Sequence, residues 1–286
     1  MALKVICNEE RRAAQAAIEC QILEYLQRAI PQEAKKMKDE ESWNIVEYKG
    51  HFTYRSHLCI VFPLLGSSLY DVAAKGIELQ QVRNIAGQLV RGLTMLQRLK
   101  LIHCDLKPDN ILMRPTEDGS IDRIDLIDFG TSCFEGGELY MYVQTRYYRS
   151  PCVILGIPYD CGVDMWSLGC VLAELYMGRP LFPGDNDVDQ LARIMEVLGP
   201  PPMHLVEKSQ KRNIFFEGDT NRPRIVPNLH GKRRRPGTRS LKNLVQTKDE
   251  IFLSFLEGCL CWDPNVRLTP ETAAKHNFIA NLKKPG

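Results

Sequence analysis

The sequence predicts an α+β fold in two lobes: a small β-rich lobe over residues 1–65 and a large helical lobe over residues 66–286. Three observations point there. Strand-like runs at residues 2–6, 50–55 and 58–62 crowd the first part of the chain. Beyond them the apolar spacing turns helical, with Val82, Ile85, Ala86, Leu89, Val90, Leu93 and Leu96 forming one long stripe. Between the two regions lies Phe62-Pro63-Leu64-Leu65-Gly66, which reads as a connector.

The first strand, 2–6, puts Lys4 on one face with Ala2 and Ile6. A helix over about 9–29 follows, with Ile18, Ile22 and Leu26 on a stripe. Glu19 lies inside that stripe, beside Ala16, Ile22 and Leu23. A carboxylate on the buried side of a helix needs a partner. After the connector and the 82–96 stripe, residues 120–127 alternate apolar and polar side chains as a strand does, and Glu117-Asp118-Gly119-Ser120 supplies a turn before it. A helix beginning at Asp164 and running to Tyr176 is apolar nearly all round, as a buried central helix should be. Asp164 can cap it. Over 212–248 the pattern weakens, Pro and Gly recur, and Lys232-Arg233-Arg234-Arg235-Pro236 is strongly basic. This reads as a surface insert, either a solvated loop or a patch for nuclear import or an acidic partner.

Composition excludes several classes. Hydrophobic residues make up 44% of the 286 and charged residues 25%, ordinary for a globular chain. A net charge of +2 gives no strong pull toward nucleic acid or a membrane surface. No apolar run is long enough to span a bilayer. Lys4, Glu9, Glu10, Arg11 and Arg12 rule out a signal peptide in the first residues. Ten cysteines are scattered without a disulfide or zinc framework, which suits reduced thiols in cytosol or nucleus.

The chemistry concentrates in His103-Cys104-Asp105-Leu106-Lys107-Pro108-Asp109-Asn110, which is similar to the protein-kinase catalytic loop H-x-D-L-K-P-x-N. Asp128-Phe129-Gly130 follows after the 120–127 strand and resembles the kinase DFG triplet. The resemblance implies ATP and magnesium as cofactors and assigns the parts. Asp105 accepts the proton of the attacking hydroxyl, and Lys107 offsets phosphoryl charge. Asn110 and Asp128 bind the metal. Lys4, held by Glu19, positions the phosphates. Ala2, Phe62, Leu64, Leu65, Leu112 and Ile127 belong to the nucleotide pocket. Pro63 has no N–H, a loss the connector tolerates if position 63 offers adenine only a carbonyl and Leu65 provides the donor.

Further runs narrow the resemblance to the DYRK family, the dual-specificity tyrosine-regulated kinases. Cys104 stands where most kinases carry Arg. Asp128 to Phe134, Tyr140-Met141-Tyr142 and Gln144-Thr145-Arg146-Tyr147-Tyr148-Arg149-Ser150-Pro151 are similar to that family's activation segment. Asn186-Asp187-Val188-Asp189-Gln190, Val197-Leu198-Gly199 and Pro236-Gly237-Thr238-Arg239 look closest to the DYRK1 branch. The resemblance implies phosphorylation of Tyr142 by the chain itself, then of Ser and Thr in protein substrates with a basic residue upstream and often a proline next. Arg146 and Arg149 could clamp the Tyr142 phosphate. No nucleic-acid or membrane partner is expected, the chain is expected to be monomeric, and the location cytoplasmic, nuclear or both. Cys104 and Cys133 flank the two motifs as inert thiols or, alternatively, a regulatory disulfide.

Two features depart from the pattern. Met1 stands where a kinase's third strand begins, so the first two strands and their Gly-rich loop are lacking; a fragment, a mis-started reading frame and a degenerate enzyme are the alternatives. Ser150-Pro151-Cys152 replaces A-P-E, leaving Arg267 without the Glu that usually pairs with it. A scaffold without catalysis is the rival reading.

Overall fold

Alternation decides the first strand. In the computed structural model, β1 (Ala2–Val5) turns Ala2 and Lys4 inward and leaves Leu3 and Val5 exposed. It pairs antiparallel with β3 (His57–Phe62), Lys4 opposite Ile60. β3 pairs in turn with β2 (Gly50–Tyr54), giving the order β1-β3-β2. Arg55 and Ser56 make the tight turn between them with φ of 46° and 60°, the left-handed conformation that two-residue hairpin turns demand. The structure describes residues 1–7, 9–38, 42–116, 121–137, 142–218 and 220–280.

α1 (Glu10–Met37) is longer than the expected 9–29 and carries Pro31 inside it. The proline ring removes one donor, but Pro31 faces solvent, where water can satisfy the freed carbonyl, and strong helix formers follow it. The helix stops at Lys38, which takes φ 53° and donates its N–H back to Ala34 and Lys35. Its buried face is Ala16, Glu19, Cys20, Ile22, Leu23 and Leu26. Ile18 is not part of it: the side chain is 40% exposed, because at 100° per residue it falls about 140° from Leu23, outside the buried face.

Past the connector come α2 (Leu69–Ala73) and α3 (Leu79–Arg98). All seven residues of the α3 stripe are buried. β4 (Leu101–Ile102) leads into the 103–110 loop. β5 (Ile111–Met113) and β6 (Ile124–Leu126) form an antiparallel hairpin below it. β6 is shorter than the expected 120–127 strand, and residues 117–120, where a turn was expected, lie outside the described residues. β7 (Cys133–Phe134) returns to pair with β4. α4 (Pro151–Leu155), α5 (Gly162–Met177) and α6 (Asp187–Leu198) follow. In α5 every residue from Val163 to Leu175 is buried. Asp164 does not cap it: Asp164 lies within the first turn, and both its oxygens are taken by the 103–110 loop.

The two lobes share one apolar core. Val46 N–H donates to the Leu126 carbonyl at 3.0 Å, and Leu126 N–H to the Asn44 carbonyl at 2.9 Å. The 212–248 region is also more than a surface insert. Phe215 and Phe216 are buried, and helices form at Arg212–Phe215 and Leu241–Val245. Arg234 is buried against α6, 3.0 Å from Asp189 and 2.8 Å from Glu196, while Lys232, Arg233 and Arg235 stay exposed. A buried guanidinium needs carboxylates, and α6 supplies two on one face.

Candidate active site

The 103–110 loop is pinned from below. Asp164 on α5 accepts the backbone N–H of His103 at 2.7 Å and of Cys104 at 3.0 Å. Burial raises its pKa, and His103 and the two donors work against that rise. Cys104 takes φ 65° there, a strained conformation for a residue with a side chain. His103 pairs its Nε2 with the Ile127 carbonyl at 2.9 Å and sets its ring edge-on to Phe129 at 5.0 Å. These contacts hold the segment that carries Asp128 against the loop that carries Asp105.

The Asp105 carboxylate is held on every side. One oxygen accepts Thr145 N–H at 3.0 Å and Thr145 Oγ1 at 2.7 Å. The other accepts Lys107 Nζ at 2.7 Å and Asn110 Nδ2 at 3.3 Å. Asn110 Nδ2 also reaches the Asp105 carbonyl at 2.9 Å, and Lys107 reaches Thr145 Oγ1 at 3.1 Å. Asp105, Lys107 and Asn110 therefore converge as their spacing predicts. Thr145 belongs to the same group and is not singled out by sequence reasoning; it lies 40 residues from Asp105 and joins it only through the fold.

Lys4 reaches Glu19 at 2.8 and 2.9 Å and Asp128 at 2.9 Å. One ammonium thus serves two carboxylates. Burial pulls the Lys4 pKa down, but Glu19 and Asp128 outweigh it and the net shift is upward. Burial likewise raises Glu19 more than Lys4 lowers it. Asp128, only half-buried, ends below its ordinary value because Lys4 and His103 outweigh its partial burial. Gln15 on α1 donates to the Gly130 carbonyl at 2.9 Å, a second tie between helix and DFG segment.

Asn110 spends its amide nitrogen on Asp105 and both Asp105 oxygens are taken by protein donors, so the Asn110 amide oxygen and the Asp128 oxygen not held by Lys4 are the ones left for a metal. Among the described residues no cluster of three His, Cys, Asp or Glu could hold a metal. Two oxygens fit magnesium, which keeps water and phosphate oxygens in its shell, better than a metal that wants an all-protein cage. Ala2, Phe62, Leu65, Leu112 and Ile127 are half-buried, while Leu64 is 66% exposed. Gly66 N–H donates to Met113 and Met113 N–H to Ser67, tying the connector to β5. Leu65 N–H donates to no protein group among the described residues.

Tyr142 is 64% exposed, and the Arg149 guanidinium lies 4.0 Å from its ring centre. As hydrogen-bond donor and as charge, Arg149 pulls the phenol below its ordinary pKa. Arg149 is itself held by the Val143 and Gln144 carbonyls and by Asp187 at 2.7 Å, and Arg146 by the Asp185 carbonyl at 3.0 Å. Tyr140 lies outside the described residues. Cys104 and Cys133 are unlinked thiols with sulfurs 3.6 Å apart.

The protein kinase domain family matches residues 1–279. The chain belongs to the protein kinase family. Its fold superposes on a crystal structure of a kinase domain with a TM-score of 0.84 at 30% identity, covering 97% of this chain and 87% of that one. It is 45% identical to human dual specificity tyrosine-phosphorylation-regulated kinase 4, over 99% of this chain and 54% of that protein. To the DYRK-family kinase pom1 of Schizosaccharomyces pombe it is 43% identical, over 98% of this chain and 25% of that protein. To kinase 2 of Drosophila melanogaster it is 42% identical, over 98% and 38%. The chain thus spans between a quarter and just over half of these relatives. The likeness is to the DYRK family at large; relatives of the 2, 3, 4 and pom1 types match it at 41–45%, and the expected affinity to the DYRK1 branch does not stand out. No helix among the described residues is long and apolar enough to cross a membrane.

Proposed function

We propose that this kinase domain uses ATP and magnesium to phosphorylate serine and threonine hydroxyls of protein substrates, and its own Tyr142 during maturation. The carrying observation is the fixed Asp105 carboxylate, with Lys107 2.7 Å from it and Thr145 on the other oxygen. A carboxylate held this way can take the proton of an incoming hydroxyl without first reorganising. Lys107 balances charge beside it. Lys4, kept in place by Glu19, offers an ammonium to nucleotide phosphates, and Leu65 N–H is available to the adenine edge. Asn110 and Asp128 would hold magnesium, whose charge would offset that of the phosphates.

The serine and threonine preference draws on relatives. Ppk5 of S. pombe, 43% identical, is named a serine/threonine-protein kinase, and others are named for dual specificity and regulation by tyrosine phosphorylation. Arg146 and Arg149 near an exposed Tyr142 support the same reading of that tyrosine.

One substitution tests both halves. Asp105→Asn should lower phosphotransfer by about 10²–10⁴-fold while nucleotide affinity stays near the native value, because Asp105 faces the hydroxyl. The same variant should purify without phosphate on Tyr142, and the native chain with it, by mass spectrometry. Near-native turnover in the variant would remove Asp105 from its role; no turnover in either chain would favour a scaffold.

A further inference from the structure

A cavity of about 560 Å³ opens beside Tyr142, apart from the group around Asp105. Tyr142 and Arg146 form one wall, the start of α6 a second, and residues 211–215 and 226–228 a third. Arg149 lies 4.0 Å from the centre of the Tyr142 ring, and both arginines are within hydrogen-bonding reach of the phenol. A phosphate on that oxygen would bring close to two negative charges and three acceptor oxygens to the cavity wall.

The two arginines do not balance that charge alone. Asp187 already engages both, 2.7 Å from Arg149 and 3.9 Å from Arg146. With Tyr142 phosphorylated, these two cations face one carboxylate and one phosphate, about three negative charges together. The other acidic group of the wall brings no spare cation. Asp189 is matched by Arg193 at 2.8 Å and by Arg234 at 3.0 Å, and Arg234 also serves Glu196 at 2.8 Å. The phosphorylated site is therefore short of one positive charge.

Among the described residues, Lys211 is the one further cation in the cavity wall, and no carboxylate pairs with it. Its base is fixed. Lys211 N–H donates to Ser209 Oγ at 3.2 Å and to the Leu155 carbonyl at 3.4 Å, and Ser209 Oγ donates to the same carbonyl at 2.7 Å. Its stem lies over Gly156, where an added Cβ would meet Lys211 Cγ and Cε at 3.5 and 3.6 Å. A side chain already placed in this way gives up little freedom when it grips an anion.

We propose that Lys211 is the third cation of the Tyr142 phosphate site, so that phosphorylation joins the activation segment to the helix Arg212–Phe215 across the cavity. The inference rests on the reading of Tyr142 above and adds to it a partner from outside the segment that Tyr142, Arg146 and Arg149 share. The phosphate then acts as a clasp between two walls, and the clasp shields it from removal.

The test places phosphotyrosine at position 142 during synthesis, by amber suppression, so that it does not depend on the chain phosphorylating itself. Phosphorus NMR reads the second pKa of the phosphate, about 6 without partners. Lys211→Met should raise that pKa by about half a unit above the value with Lys211 present, because one cation fewer stabilises the dianion less. A tyrosine phosphatase should strip the variant about two- to fivefold faster, since it acts on the side chain released from its cations. Lys211→Arg should restore both values. Lys208→Met, exposed on the same stretch and outside the cavity wall, should change neither. An unchanged phosphate pKa in Lys211→Met overturns the proposal. A shift that Lys211→Arg fails to repair overturns it too, since Lys211 would then serve only the local fold. Mass spectrometry of the native chain decides self-phosphorylation separately: an unmodified Tyr142 would end that reading, while the comparison on installed phosphate still decides the role of Lys211.

Discussion

Cys152 and Arg267 show how a buried cation behaves without its anion. Arg267 is 3% exposed, and its nitrogens donate to the carbonyls of Gly162 at 2.9 Å, Cys261 at 2.8 and 3.1 Å and Trp262 at 3.3 Å. Its guanidinium lies 5.5 Å from the Trp166 ring centre. No carboxylate pairs with it among the described residues. Carbonyl dipoles satisfy its donors but leave its charge unmatched. Burial raises the Cys152 thiol, and Arg267 pulls the other way without prevailing, so no thiolate stands in for the missing anion. Cys152→Glu would add a carboxylate there, at an overpacking cost of about 1–3 kcal/mol, against about 3–5 kcal/mol for an unmatched buried charge. We expect a net gain and a higher melting temperature by thermal denaturation. A lower one would mean that the carbonyl cage already serves Arg267 fully. The sequence shows Cys152, Arg267, Asp105, Asn110 and Asp128 because each sits in a run of fixed spacing. It does not show Thr145 as a partner of Asp105, because local pattern carries no information about a contact 40 residues away.

At the scale of elements, the sequence reads α3 and α5 well and α1 and the 212–248 region poorly. The stripe of α3 is one-sided and α5 is apolar all round, so periodicity alone places their faces. In α1 a proline marks a stop that the helix ignores. In 212–248 charge reads as solvation, yet Arg234 is a structural cation between Asp189 and Glu196. Arg234→Met should therefore strip α6 of a partner it needs. The loss should be about 3 kcal/mol, with Arg193 still beside Asp189. Its pH dependence has a definite sign. Burial pushes the Asp189 pKa up, but Arg193 and Arg234 prevail and hold it below the ordinary 3.8. A carboxylate with a depressed folded pKa contributes stability that is present above its ordinary value and lost as pH falls through the folded one. The gap in melting temperature between native and variant chains should be widest near neutral pH and shrink in acid below 3.8. A gap independent of pH would show that Arg234 acts through packing alone.

For the whole molecule, the site depends on a junction between lobes. β1 brings Lys4, α1 brings Glu19, and the segment after β6 brings Asp128 to one point. The sequence anticipates the Lys4–Glu19 pair from the burial of Glu19 and the kinase resemblance. It gives no sign that Asp128 shares the same ammonium, because a link from residue 4 to residue 128 is set by how the lobes close. Lys4→Met removes a partner from both lobes but should act chiefly on the small one, because Asp128 is partly exposed and can turn to water while Glu19 is buried. Glu19 is 3% exposed and would lose its cation. Leaving a buried carboxylate unpaired costs about 3–5 kcal/mol, but Glu19 already has a raised pKa and can protonate to limit the cost. The penalty should thus fall as pH is lowered toward the carboxylate range, since protonation removes the charge that needs a partner. Near neutral pH, hydrogen exchange should show amide protection in α1 falling by about 10²–10⁴-fold, if its opening carries the whole loss. Protection in α5, packed on all sides and without contact to Lys4, should stay at the native level. Equal loss in both helices would mean that the lobes open as one unit and that Lys4 secures the entire domain rather than its upper half.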